Sequence, residues 1–330
     1  MISFASLLFL LYVGSLLPSN AKHDLYNFDV VRGNNLKGLS CLLIIAYHLS
    51  FHVEIKLFGY VSNWGAPIVS VFLFISGYGL MSSYLSKGVE YFNGFLKKRL
   101  LKILLPLLIV SVIYLVLVYL DQRIWPKDMF KTLLFTGITP LPYSWFAFSI
   151  IFFYLFFYLI FKQANIAIAL KFVLLVLVTI LYIVYCVVMG YERAWWVTAF
   201  AFMAGILYRF YYPSLFLLKQ NTLFRYLFVP ISLSIIVLMV KSNIELIFTG
   251  VYIILPILIV YLLSNYRLKE VSLLKYLGTI SYEIYLFHGV WIFMLRGFHV
   301  YIVNDYIYAL LVFISTIISA HVLHYVINKK

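Results

Sequence analysis

Residues 36–51 read LKGLSCLLIIAYHLSF, an apolar run that carries a lysine and a histidine. Lys37 and His48 stand eleven residues apart. At about 100° per residue that spacing is about 1100°, or about 20° past three full helical turns. On a helix the two side chains therefore share a face, about 16 Å apart along the axis. Ionisable groups inside a membrane-spanning helix are costly and point to function by default. The bland alternative is a snorkelling lysine at a helix start and a histidine in an interhelical hydrogen bond. His48 is the side chain here that can take and return a proton near neutral pH without a large shift. His52 lies one turn further on the same face and reads as an interfacial residue.

The composition indicates the surroundings of that segment. Of 330 residues, 65% are hydrophobic, 20% aromatic and 11% charged, and the mean hydropathy is +1.03. A soluble domain averages about 25% charged residues, so no aqueous shell can be built from these. The fold class expected is an all-α polytopic transmembrane bundle of about 10–11 helices. Runs long enough to span, about 17–25 residues, fall near 2–18, 36–53, 66–85, 100–120, 143–162, 168–189, 193–211, 224–241, 246–264, 279–296 and 305–326. Short polar joints separate them, and no linker to a second globular domain is visible. Residues 1–20 lack a basic n-region and an A-x-A site, so they read as an extra first helix rather than a cleaved signal. Residues 21–330 form one membrane domain.

The net charge of +14 follows from loops that collect Lys and Arg on the cytoplasmic side, and does not indicate nucleic acid. With the N-terminus outside, Lys56, Arg123, Lys127, Lys131, Arg193, Lys241 and Arg296 fall on the external side. The other 18 of the 25 lysines and arginines fall inside. That asymmetry predicts a cytoplasmic C-terminus, Lys37 at the cytoplasmic end of its helix and His48 toward the outer side. Cys41 and Cys186 lie in apolar runs and read as packing residues.

Three further segments carry chemistry. FLKKRLLKILLP, residues 95–106, clusters Lys97, Lys98, Arg99 and Lys102. Lys98 and Lys102 project from one face at i,i+4. Such a cluster suits a phosphate-bearing cosubstrate or anionic lipid headgroups. In GTISYEIYLFHGVW, residues 278–291, Ser281, Tyr285 and His288 fall on one face beside Tyr282, with Glu283 turned away. In residues 64–85, Ser76, Gly77 and Gly79 permit close helix approach. No HExxH, phosphate-loop or GxSxG pattern occurs, so no metal is expected and a phosphate-loop ATPase is disfavoured.

Taken in order, these segments resemble the acyltransferase-3 family of integral membrane acyltransferases. The family places a basic residue, ten residues and then a histidine in an early helix, which Lys37 and His48 match. Its aromatic-Ser-Gly-aromatic stretch is matched by Phe74, Ile75, Ser76, Gly77 and Tyr78. Its basic pair before I-L-P is matched by Lys98 and Lys102 ahead of Pro106, and its Trp-Phe pair by Trp145 and Phe146. Its S-Y-x-x-Y-L-x-H stretch runs from Ser281 to His288 without a mismatch. The resemblance covers about residues 30–326. Departures are Asn34 where many members have Asp, and lysine for arginine at 37, 98 and 102, which loses the bidentate fork.

The resemblance implies an O-acyltransferase of the bacterial cytoplasmic (inner) membrane. It would move acetyl from acetyl-CoA to a hydroxyl of a cell-surface polysaccharide, such as a capsule, or of a lipid-linked glycan. His48 and Lys37 are then the expected catalytic residues. Lys97, Lys98, Arg99 and Lys102 would hold the acyl-CoA. Ser76, Trp145, Ser281, Tyr282, Tyr285 and His288 would form a substrate-binding or structural polar network. Membrane lipid and the glycan acceptor are the expected partners. The competing class is a transporter or flippase of lipid-linked glycan, which would need neither Lys37 and His48 on one face nor the stretch 281–288. A polysaccharide polymerase would call for larger polar external loops than the one near 121–142.

Overall fold

A computed structural model describes residues 28–122, 140–242, 244, 247, 249–264 and 271–329. The expected first span at 2–18, most of the loop at 121–142 and part of the span at 246–264 lie outside the described residues. The described residues form helices joined by turns and coil, with one isolated bridge between Arg296 and Tyr301. In chain order the helices are α1 Val30–Leu49, α2 Gly65–Lys87, α3 Phe95–Gln122, α4 Trp145–Phe161, α5 Ile168–Val188, α6 Phe200–Phe210, α7 Tyr212–Gln220, α8 Thr222–Lys241, α9 Val251–Ser264, α10 Ser272–Thr279, α11 Ser281–Met294 and α12 Asp305–Asn328. A single turn, Lys56–Gly59, lies between α1 and α2.

Among the described residues, four helical segments are long and apolar enough to cross a membrane: Gly65–Phe92, α3, α5 and α12. The surface of α12 shows what they face. Tyr306, Leu310, Ile314, Ile318, Val322 and Val326 recur every four residues and are all exposed. On α5 the exposed row is Leu170, Val173, Leu177, Leu181, Val184 and Val188. Contiguous apolar rows of this length are unfavourable in water and matched in lipid, where a helix satisfies its own backbone.

The helices group into two compact units. The first takes in the described residues of Met1–Asn35, Ala66–Tyr91 and Phe172–Ser272. Its helices α8 and α9 pack around Val229, Leu258, Tyr261 and Leu262, and α6 packs on α9. Helices α2 and α6 cross at two glycines. A Cβ built at Gly77 would lie 2.1 Å from the Phe202 carbonyl oxygen, and one at Gly205 would lie 2.0 Å from that of Phe74. Gly77 is thus the close-approach residue expected from residues 64–85, whereas Gly79 faces open space. The sequence-based span at 193–211 resolves into a 3-10 turn, Arg193–Trp195, and the 11-residue α6. Charged Glu192 and Arg193 open that stretch, and the Tyr182 hydroxyl donates to the Trp195 carbonyl at 2.9 Å, holding the turn.

The second unit comprises Leu36–Gly65, Phe92–Lys171 and Leu273–Lys330. It therefore holds α1 from Leu36 onward, together with α3, α4, α11 and α12. Helix α11 is its centre: eight consecutive residues, from Glu283 to Val290, are buried. It packs most extensively on α12 and α3. Gly38 brings α1 onto α10, since a Cβ there would meet the Leu274 carbonyl oxygen at 2.1 Å. The span expected at 279–296 is α11, which Ile280 separates from α10. Glu283 then sits in the first turn of α11, where a negative charge complements the helix dipole. Lys171, 2% exposed, donates to the Phe161 carbonyl at 3.4 Å and so satisfies the C-terminus of α4.

Candidate active site

The second unit gathers the residues on which the sequence placed most weight. Helix α1 is unbroken from Val30 to Leu49, so Lys37 and His48 keep the helical spacing of about 16 Å. His48 occupies the last turn of α1 and is half-buried. Its ring centroid lies 4.9 Å from that of His288, and the planes are inclined by 37°. The Tyr143 ring lies over both imidazoles, 3.8 Å from His48 at 29° and 5.6 Å from His288 at 20°. Three segments far apart in sequence thus supply one cluster: the end of α1, the turn before α4, and α11.

Tyr143 reaches this place through a backbone that few residues adopt. Its φ is 61°, and it is the non-glycine residue with positive φ among the described residues. For a bulky residue that conformation costs about 1–3 kcal/mol and must be held by its surroundings. The Tyr285 hydroxyl does the holding. It donates to the Tyr143 carbonyl and accepts the Phe146 backbone N–H at 3.1 Å. One buried phenol therefore secures the strained residue and satisfies an amide in the first turn of α4. The Tyr143 hydroxyl and His52 Nε2 share a hydrogen bond of 3.2 Å. Gly289 lets α11 approach this turn, because a Cβ there would lie 2.8 Å from the Pro142 carbonyl oxygen.

His288 is fully buried. Its Nδ1 lies against the Tyr285 carbonyl. A carbonyl oxygen only accepts, so Nδ1 carries the proton and Nε2 holds a lone pair. That Nε2 is buried with no hydrogen-bond partner among the described residues, and so is Nδ1 of His48. Buried polar atoms are nearly always paired, which makes these two neighbouring exceptions the chemically conspicuous feature of the unit.

A network outward from the cluster fixes the loop that follows α11. Arg296 donates from Nε to the Ile302 carbonyl at 3.1 Å, from Nη1 to the His52 carbonyl, and from Nη2 to Asp305 at 2.5 Å. Asp305 also accepts the Glu54 amide at 2.7 Å. Asp121 accepts the amides of Phe298 and His299 at 2.9 and 2.8 Å.

At the other end of α1, Lys37 is half-buried, with Cys41 and Arg99 within electrostatic reach. The basic segment of α3 divides. Lys97, Lys98 and Lys102 are exposed, whereas Arg99 is half-buried. The Cys41 thiol donates to the Ser281 carbonyl at 3.5 Å, and the Tyr282 hydroxyl to the Ile103 carbonyl at 3.1 Å. Glu283 is turned away from the stripe, as its spacing predicts, and accepts from His324 Nδ1 at 2.8 Å. Trp145 opens α4, half-buried and edge-on to Phe146. Ser76 lies half-buried on α2 of the first unit. Among the described residues no group of three or more His, Cys, Asp or Glu is placed to hold a metal.

Sequence reasoning missed Tyr143 as a site residue. Tyrosine is not a residue type that announces positive φ, and the only available signal was Pro142 ahead of a Ser-Trp helix start. No curated protein and no solved structure matches this chain. A family model described as an acyltransferase domain, acyltransferase-3, matches residues 32–325. The match takes in α1, the turn at Tyr143 and all of α11. The chain belongs to the acyltransferase-3 family of membrane acyltransferases.

Proposed function

We propose that the protein is an O-acetyltransferase. In this reading it moves acetyl from cytoplasmic acetyl-CoA to a hydroxyl of a cell-surface polysaccharide or lipid-linked glycan. The observation that carries the reading is the half-buried His48, on one helix with Lys37 and beside His288 of α11. The membrane is the bacterial inner membrane, with the N-terminus outside and the C-terminus in the cytoplasm, the arrangement that the lysine and arginine count favours. Lys37 and Arg99, with Lys97, Lys98 and Lys102, meet the phosphates of the donor. The pantetheine arm brings the thioester about 16 Å along α1 to His48.

At His48 the acceptor O–H gives its proton to the imidazole while its oxygen attacks the thioester carbonyl carbon. The C–S bond breaks, and the CoA thiolate recovers the proton. In the alternative form the imidazole nitrogen itself takes the acetyl group, releases CoA, and passes the acetyl to the acceptor oxygen. Protein-bound label after exposure to radiolabelled acetyl-CoA separates the second form from the first.

The test is NMR of glycan O-acetyl groups from cells with the intact gene, with the gene deleted, and with His48→Ala or His48→Gln. Intact cells are expected to carry the O-acetyl signal. Deletion and both variants are expected to lack it, with variant protein still present in the membrane. Normal O-acetylation in either variant refutes the role of His48. An unchanged glycan on deletion refutes the reaction, and loss of the glycan itself from the surface points instead to a flippase.

A further inference from the structure

The first unit holds a cavity of about 410 Å³ between α6, α7, α8 and α9. Twelve residues line it, every one apolar or aromatic. The cavity follows α6 from Phe200 to Tyr211, which is about 16 Å along the helix. On α9 the lining residues Ile253, Ile257 and Tyr261 recur every four residues, so one face of that helix forms a second wall. The rings of Phe224 and Phe228 on α8 stack at 5.2 Å, and Phe228 lies 4.4 Å from Tyr261. Spread over its length, the volume describes a slot about 5 Å across. An α-helix, about 10 Å in diameter, does not fit. Carbon atoms in contact lie about 4 Å apart, so one extended hydrocarbon chain does. The length agrees with the depth of one leaflet, half of a hydrocarbon core about 30 Å thick. Water or a sugar would find few polar partners there.

Positive charge gathers at the Tyr211 end of the slot. Arg209, two residues before Tyr211, donates from Nε to the Ser82 hydroxyl at 2.9 Å and lies 6.0 Å from the centre of the Tyr78 ring. Arg209 and Arg32 are both within electrostatic reach of Tyr212, the residue after Tyr211. The Tyr212 ring lies 6.1 Å from that of Tyr208, which lines the slot. Asp29 is within reach of Tyr78, and its carboxylate accepts the Arg32 amide at 2.8 Å. Two guanidinium groups against one carboxylate leave this end positive. We infer that the first unit binds an anionic phospholipid: one acyl chain occupies the slot, and the phosphate lies at the Tyr211 end, drawn by Arg209 and Arg32. Guanidinium groups present several N–H donors in a plane that matches phosphate. The second acyl chain stays in the bilayer. A chain gains little by leaving lipid for an equally apolar slot, so selection rests on fit and on the charge of the headgroup.

The inference goes beyond the acyl-transfer reading, and no measurement in its test uses acetyl-CoA. Native mass spectrometry of the full chain released from nanodiscs counts the lipids it retains. The probes are phosphatidylglycerol and phosphatidylcholine with the same acyl chains. The wild type is expected to retain one phosphatidylglycerol and at least tenfold less phosphatidylcholine. Arg209→Gln is expected to reduce that preference about fivefold. Ile257→Trp, which fills the slot, is expected to lower retained phosphatidylglycerol at least tenfold. Equal retention of the two lipids by the wild type, retention of neither, or unchanged retention in either variant overturns the inference. A measurement on the wild type alone decides should a variant not fold. Phosphatidylglycerol with a photoreactive diazirine in one acyl chain is expected to label residues 200–211 and 253–261. Labelling confined to the exposed apolar rows of α5 and α12 would report surrounding bilayer lipid only, and overturns the inference. So does recovery of a polyprenyl phosphate, in place of a phospholipid, with protein extracted from its own membrane.

Discussion

At the scale of single residues, Tyr143 carries two separable contributions. Its ring covers His48 and His288, and its hydroxyl meets His52. Aromatic contacts of this kind contribute about 0.5–1.5 kcal/mol beyond area burial, which at the upper end is about tenfold in rate. Tyr143→Phe keeps the ring and is expected to retain at least half of the proposed acetyl-transfer activity. Tyr143→Ala is expected to lose about tenfold or more, measured as CoA release under saturating acetyl-CoA. Equal activity in the two variants would mean that the ring plays no part. His48, Lys37 and His288 were all legible in the sequence because an ionisable group in an apolar run stands out. Their pairing was not, since periodicity within one helix says nothing about which face of another helix it meets.

At the scale of helices, close approach rests on glycine. The crossing of α2 and α6 leaves no room for a methyl at Gly205, where a Cβ would overlap the Phe74 carbonyl oxygen, a backbone atom that cannot turn aside. Gly205→Ala is expected to destabilise the first unit by about 1–3 kcal/mol, the usual cost of overpacking, read as a lower midpoint of thermal unfolding in detergent. An unchanged midpoint would show that the helices can part without cost. Residues 64–85 suggested such a contact, but not its partner: Gly205 sits in FAFMAGILYRF, an ordinary apolar run. The same distinction applies to the basic segment of α3. Four cations are obvious in the sequence, yet only the packing half-buries Arg99 and leaves Lys97, Lys98 and Lys102 exposed.

At the scale of the whole molecule, the charge asymmetry predicts an orientation that labelling can test. Cys41 and Cys186 are fully buried, so an impermeant maleimide has little to react with in the native chain. Phe298 is 82% exposed in the loop after α11, and Lys98 is exposed near the start of α3. Phe298→Cys is expected to label in intact spheroplasts, and Lys98→Cys only after permeabilisation. The opposite pattern would invert the topology and place the proposed donor site on the wrong side for cytoplasmic acetyl-CoA.

The sequence by itself determined that this is a helical membrane protein, because 65% hydrophobic residues in spans of membrane length admit few other solutions. It also determined the spacing of Lys37 and His48, because a helix is a local structure with a fixed pitch. The tertiary structure decided what surrounds His48. Tyr143 and His288 lie 95 and 240 residues further along the chain, and a Tyr285 hydroxyl and a positive φ bring the first of them into place. Such contacts depend on how helix faces meet, which is a property of packing and not of any one segment's periodicity.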